Sequence, residues 1–135
     1  MPAGVQIAFN DNWKDTQQAA ISATGKAPPN DAESAIRRTL NPGNYTAIVQ
    51  GKNNTTGVGL VEAYDLDEAI TTALTNISTR DFVDTGNNVM IGGFISGDGI
   101  VRALGPTLTQ FGVPNVLADP VLDLRNAQGG LARNE

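Results

Sequence analysis

Fourteen acidic side chains, with not one histidine or cysteine among 135 residues, limit the chemistry this chain can carry. A Ser-His-Asp or Cys-His nucleophile pair, a histidine proton shuttle and a Cys/His zinc site are all excluded. Carboxylate oxygen is what remains. Asp11 and Asp15, set beside Asn10 and Asn12, and the pair Asp65 and Asp67 offer hard oxygen ligands of the kind Ca²⁺ takes. Ca²⁺ is the one cofactor the residue types suggest. The spacing is not that of an EF-hand loop, because the glycine and the closing glutamate are missing, and the same residues serve as caps of turns and helices. Asp65, Asp81 and Asp98 supply carboxylates for glycoside hydrolysis, but no motif orders two of them across one bond. No catalytic residue is therefore assigned, and a non-enzymatic protein is expected. Trp13, Tyr45 and Tyr64 can form a ligand-stacking platform for a sugar or act as core anchors.

The elements that position these residues follow from composition. The length suits a single domain spanning 1–135, large enough to bury a core without metal or disulfide. A hydrophobic content of 40% with 15 glycines, 7 prolines and only 5% aromatics indicates short strands and many turns. The net charge of −5 argues against nucleic acid or an anionic membrane surface as partner. No apolar run approaches the ~20 residues of a membrane span, so membrane insertion is not expected. Met1-Pro2-Ala3-Gly4 is no signal peptide, and any export signal is expected to be removed or to lie outside this sequence.

Along the chain, "VQIAF" reads as a strand entering polar "NDNW". Asp15 is expected to cap a helix over 16–24 that Gly25 ends. "KAPPND" is a loop, because its prolines remove donors. "ESAIRRTL" and "NPGNYTAIVQG" read as two arms of a hairpin about a Pro42-Gly43 turn. "VGLVEAYDL" alternates without a polar face, as in a strand covered on both sides. "DLDEAITTALTNIS" is ambiguous between helix and strand. "VMIGGFI" and "IVRALG" read as a hairpin about "SGDG", with Gly92 and Gly93 marking a bulge or a close backbone approach. "PTLTQFGVPNVLADP" holds one helical turn, and "VLDLRNAQGGLARNE" closes as a last hairpin. The pattern predicts an all-β fold, a mainly antiparallel, jelly-roll-like β-sandwich with one or two short helices.

The phrases "NDNW", "ATGKAPPNDAESAIRRTLNPGNYTAIVQGKNNTTGVGLVEAYDLD", "NISTRDFVDTGNNVMIGGFI" and "VRALGPTLTQFGVPNVLADPVLDLRNAQGG" resemble consecutive pieces of a repeated β-rich module. That module occurs in tandem in very large exported bacterial proteins, and its "PGxYT" segment is similar to bacterial pre-peptidase C-terminal β-sandwich domains. The resemblance covers nearly the whole chain and implies one repeat cut in a permuted frame. It also implies a secreted or cell-surface location and a structural or adhesive role without a catalytic site.

Beside that resemblance, Ala8-Phe9-Asn10-Asp11 lines up with Ala132-Arg133-Asn134-Glu135, an overlap that reads either as an assembly device or as a generous boundary of one module in an array. The end segments 5–11 and 119–135 thus overlap, and two strands compete for one place in the sheet. An assembly interface is expected from Val5, Ile7 and Phe9 at one end and Val121, Leu122, Leu124 and Leu131 at the other, with segment 119–135 seated on another copy. Copies of the same chain are then the partners, joined head-to-tail into a filament or surface array. The competing reading is a carbohydrate or cell-surface-ligand binding module with a surface glycan as partner. On either reading, a far-ultraviolet circular-dichroism spectrum should be dominated by strand, with only a minor helical component.

Overall fold

The computed structural model describes residues 5–66, 76–85 and 89–126. Within these residues the strands are β1 (Val5–Asn10), β2 (Ser34–Gly51), β3 (Gly57–Asp65), β4 (Asn76–Val83), β5 (Val89–Leu104) and β6 (Pro120–Asn126), with one α-helix, α1 (Gln18–Ser22). They form an antiparallel sheet in the order β1-β6-β2-β5-β3-β4. The all-β expectation holds.

The sheet becomes a sandwich through its two longest strands. β2 pairs with β5 from Ser34↔Ala103 to Val49↔Val89. Beyond its first half, the sheet continues through β5 to β3, where Leu60–Asp65 pairs with Leu104–Gly99. Beyond its second half, it continues from β2 to β6, where Tyr45 meets Asn126 and Gly51 meets Pro120. Between the halves the register shifts, so that Asn41 and Pro42 stand against Ser96 alone. One extra residue moves the inward face from one parity to the other. Ile36 before the shift and Ala47 and Val49 after it therefore reach the same core. They meet Val61 and Ala63 of β3, Val83 of β4, Val101 and Ala103 of β5, and Leu122 and Leu124 of β6.

Two hairpins expected from the sequence are thereby corrected. Pro42 lies in the bulge of a continuous strand, a place where the missing proline N–H costs no ladder hydrogen bond, and Gly43 is already back in register opposite Ile95. "SGDG" is likewise part of a continuous strand, since Gly97 faces Leu40 and Asp98 faces Thr39. Gly92 and Gly93 sit in regular register opposite Thr46 and Tyr45, and the bulge is elsewhere. β3 alternates buried and half-buried with no exposed residue, as its lack of a polar face implies. Gly59 is on its inner face, where an added Cβ would meet Val83, Leu117 and Val49. The helical turn expected in the middle of "PTLTQFGVPNVLADP" lies instead at its start, as a 3-10 helix, Pro106–Phe111, closed by Gly112 in the left-handed region.

A second cluster covers the outer face of the sheet's first half: Trp13, Ile21, Ala35 and Ile100, with Ala27, Tyr64 and Leu66 against it. The helix that contributes Ile21 is shorter than expected. Asp15 belongs to a 3-10 turn (Trp13–Asp15), and α1 begins after Gln17 with no side-chain cap. Gln17 is instead committed to β2, with its amide accepting from Arg37 N and donating to Arg37 O. Gly25 ends the segment with φ +75°, as the sequence suggested. The alternatives for "DLDEAITTALTNIS" are decided only at its end, where Asn76 begins β4; residues 67–75 lie outside the described residues.

One buried carboxylate ties the start of β2 to the chain leaving β5, at one end of their ladder. Glu33, fully buried just before β2, accepts from Gly105 N and Thr107 N at 2.8 Å each, Thr107 Oγ1 at 2.6 Å and Asn30 N at 3.1 Å. Both Gly105 and Thr107 follow β5. Glu33→Ala strands these donors in the interior, and the loss should be about 3 kcal/mol or more. Urea denaturation checks it, with Glu33→Gln, which keeps one acceptor oxygen, falling between the two.

Candidate functional site

β6 is the strand on which the two end segments of the sequence converge. It lies between β2 and β1, and its second neighbour comes from the far end of the chain. β1 pairs with it from Val5↔Asn126 to Asn10↔Leu122, with an irregularity at Ile7 that puts both Ile7 and Ala8 against the core. Val5 and Phe9 are 50% and 52% exposed, whereas Asn10 is 3% exposed. β1 is therefore held by few apolar anchors and by its polar end.

Asn10 supplies that end. Its Oδ1 accepts from Ala35 N at 3.0 Å, and its Nδ2 donates to Asn12 O and Thr16 Oγ1. Gln6 Nε2 donates to Asp123 Oδ1, Arg125 Nε pairs with Asp123 Oδ2, and Arg38 Nη1 donates to Ile7 O. The last of these occupies a carbonyl that the irregularity leaves outside the ladder.

Asp11, Asp119 and Lys52 adjoin the ends of β1, β6 and β2 at one edge of this three-strand unit. Lys52 Nζ pairs with Asp11 Oδ2, and Lys52 N donates to Asp119 O at 3.0 Å. Asp11 Oδ1 and Asp119 Oδ1 are both buried and find no donor while the two carboxylates are ionised. A proton on Asp119 relieves this by giving Asp11 a donor. Burial first, then that hydrogen bond and the charge of Asp11, push the Asp119 carboxyl up to about 6, with Lys52 opposing.

The remaining sequence candidates lie apart. Asp15 is exposed in its 3-10 turn, Asp65 ends β3 opposite Gly99, and Asp67 lies outside the described residues. Among the described residues no three acidic side chains come together to hold a metal. The aromatic rings do not form a platform either. Trp13 is 6% exposed in the second cluster. Tyr45 packs on the first cluster and donates to Asn41 O. Tyr64 is covered by Lys26, 4.6 Å from its ring centre, and by Arg102, which pairs with Glu62 at 2.7 Å. Asp98 is paired with Arg37 at 2.7 Å, which holds its carboxyl below the usual range.

Of the expected interface residues, Leu122 and Leu124 are inside the chain's own core and Val121 is also buried. Ile7 is half-buried, Val5 and Phe9 face outward, and Leu131 lies outside the described residues. Sequence reasoning missed Lys52 and Asp119, whose meeting depends on strand order. It also missed Glu33, although Asn30-x-x-Glu33 is a capping-box spacing, here closing a turn before a strand. A comparison with known proteins finds no matching family model, no matching curated protein and no matching solved structure.

The Asp119 carboxyl gives a pH prediction with a definite sign. A carboxyl raised from its ordinary value near 4 to about 6 binds more protons in the folded state between these pH values, so stability is full below about 4 and falls as pH rises to about 6. Asp119→Asn should flatten that slope and raise stability at pH 7 by about 1 to 2 kcal/mol, allowing for partial solvent screening. Denaturation midpoints measured from pH 4 to 8 on both proteins check it.

Proposed function

We propose that this chain is a non-catalytic, extracellular structural module that joins copies of itself head-to-tail by β-strand complementation. The observation that carries this reading is the place beside β6. A strand from the opposite end of the chain fills it, and that strand is held by two half-buried apolar side chains and one buried asparagine. Such a strand can leave its own sheet and complete that of a neighbour with the same ladder and contacts. Because donor strand and acceptor place are different surfaces, the contact passes from copy to copy and builds a filament or array wherever the rotation between copies does not close a ring.

The joint involves β1 rather than the whole of segment 119–135. Leu122 and Leu124 of β6 fill the chain's own core, so β6 is the acceptor strand and stays with its sheet. The resemblance of the sequence to modules of exported bacterial proteins supports the extracellular setting. The lack of histidine and cysteine, together with the commitment of Asp98 to Arg37, supports a role without catalysis.

Light scattering and electron microscopy of the purified protein test the reading. Assemblies should grow with protein concentration and appear as linear polymers. Ala8→Asp places a charge against Leu122 and Leu124, and should abolish them by keeping β1 out of any acceptor place. A wild-type protein that stays monomeric at high concentration, or an Ala8→Asp protein that polymerises equally, would overturn it.

A further inference from the structure

Asp11, Asp119 and Lys52 meet at one end of the β1-β6-β2 unit, and the backbone divides them into a fixed pair and a movable third. Asp119 directly precedes β6 and Lys52 directly follows β2. These strands pair as far as Gly51↔Pro120, and Lys52 N donates to Asp119 O at 3.0 Å, so both residues belong to the frame that keeps Leu122 and Leu124 in the core. Asp11 directly follows β1, whose pairing ends at Asn10↔Leu122. It is the member of the group that moves when β1 moves. Asp15, exposed in the 3-10 turn beyond, adds a weaker negative influence on Lys52.

Donors and charges do not balance here. Lys52 Nζ takes Asp11 Oδ2, and Asp11 Oδ1 and Asp119 Oδ1 are left buried without a donor. One ammonium serves two carboxylates. With both ionised, seating β1 brings Asp11 against Asp119 at two oxygens that water does not reach, and the contact is repulsive. With one proton between them, the same contact is a charge-assisted hydrogen bond from the end of β1 to the start of β6. When β1 lifts away, Asp119 has Lys52 to itself and the conflict ends.

We propose that the Asp11–Asp119 pair is a proton-operated latch on β1: one shared proton holds the strand on β6, and its loss frees the strand while the rest of the sheet stays folded. The direction follows from linkage. Burial first, and then Asp11, raise the Asp119 carboxyl to about 6, so the seated strand holds the proton more tightly than the open one, whose carboxyl returns toward the ordinary value near 4. β1 is therefore held most firmly below about pH 4, and its opening grows as pH rises to about 6 and levels off above it. The latch rests on the strand-exchange reading and deepens it by naming what controls the donor strand: neutral pH releases β1 and acid retains it.

Hydrogen exchange of the β1 amides tests the latch, in the full chain and at concentrations where light scattering shows monomer. Corrected for the intrinsic exchange rate, their protection should fall roughly tenfold between about pH 4.5 and 7.5, which is the ~100-fold allowed by a carboxyl moved from about 4 to about 6, reduced for solvent screening. Asp119→Asn, a neutral side chain whose Nδ2 can donate to Asp11, should keep β1 protected across this range. Asp11→Ala should flatten the profile from the other side, with β1 weakly protected at every pH. Lys52→Met should move the fall to higher pH, because Lys52 opposes the rise of the Asp119 carboxyl. A β1 protection that does not change with pH, or that falls as steeply in Asp119→Asn or Asp11→Ala as in the wild type, would overturn the inference. Exchange is read on monomers, so a working latch in a protein that never polymerises sustains this inference and overturns only the assembly reading.

Discussion

β2 and β5 run side by side through both layers of the molecule, and the rest of the fold depends on how that long ladder bends. Its extra residue at Asn41–Pro42 turns the inward face from Ile36 to Ala47 and Val49, so both halves of one ladder close on the same core. A hairpin at Pro42-Gly43 would have ended β2 there and left β6 without the neighbour that places Leu122 and Leu124. Glu33 then fixes the start of β2 to the chain leaving β5, through four hydrogen bonds to one buried carboxylate.

The consequence for function lies at the far side of this frame. β6 rests on β2 along its whole length, and β1 is the last strand added. Its burial is shallow, its ladder is interrupted at Ile7, and its firmest hold is Asn10. β1 is thus the strand whose loss would disturb the core least, because Leu122 and Leu124 of β6 pack with β2, β3 and β5 in one cluster. The carboxylate pair at Asp11 and Asp119, with Lys52 beside it, sits where β1 leaves the sheet.

The sequence by itself determined the fold class, the glycine turn at Gly25 and the two-sided burial of β3, because composition, glycine conformation and period-2 alternation are local properties. It also contained the repeated phrase, which is a matter of residue order alone. Tertiary structure decided what local signals could not. Pro-Gly and Gly-rich pieces that suit turns became a bulge and a continuous strand, because partners on both sides supplied ladder hydrogen bonds and a core. Asn10, which by residue type suits a metal site or a cap, became the buried anchor of β1, because Ala35 N and Thr16 Oγ1 come from segments distant in sequence or fixed by packing. Lys52, Asp11 and Asp119 meet only because β1, β6 and β2 are neighbours in that order, and strand order is set by the pairing of the whole sheet.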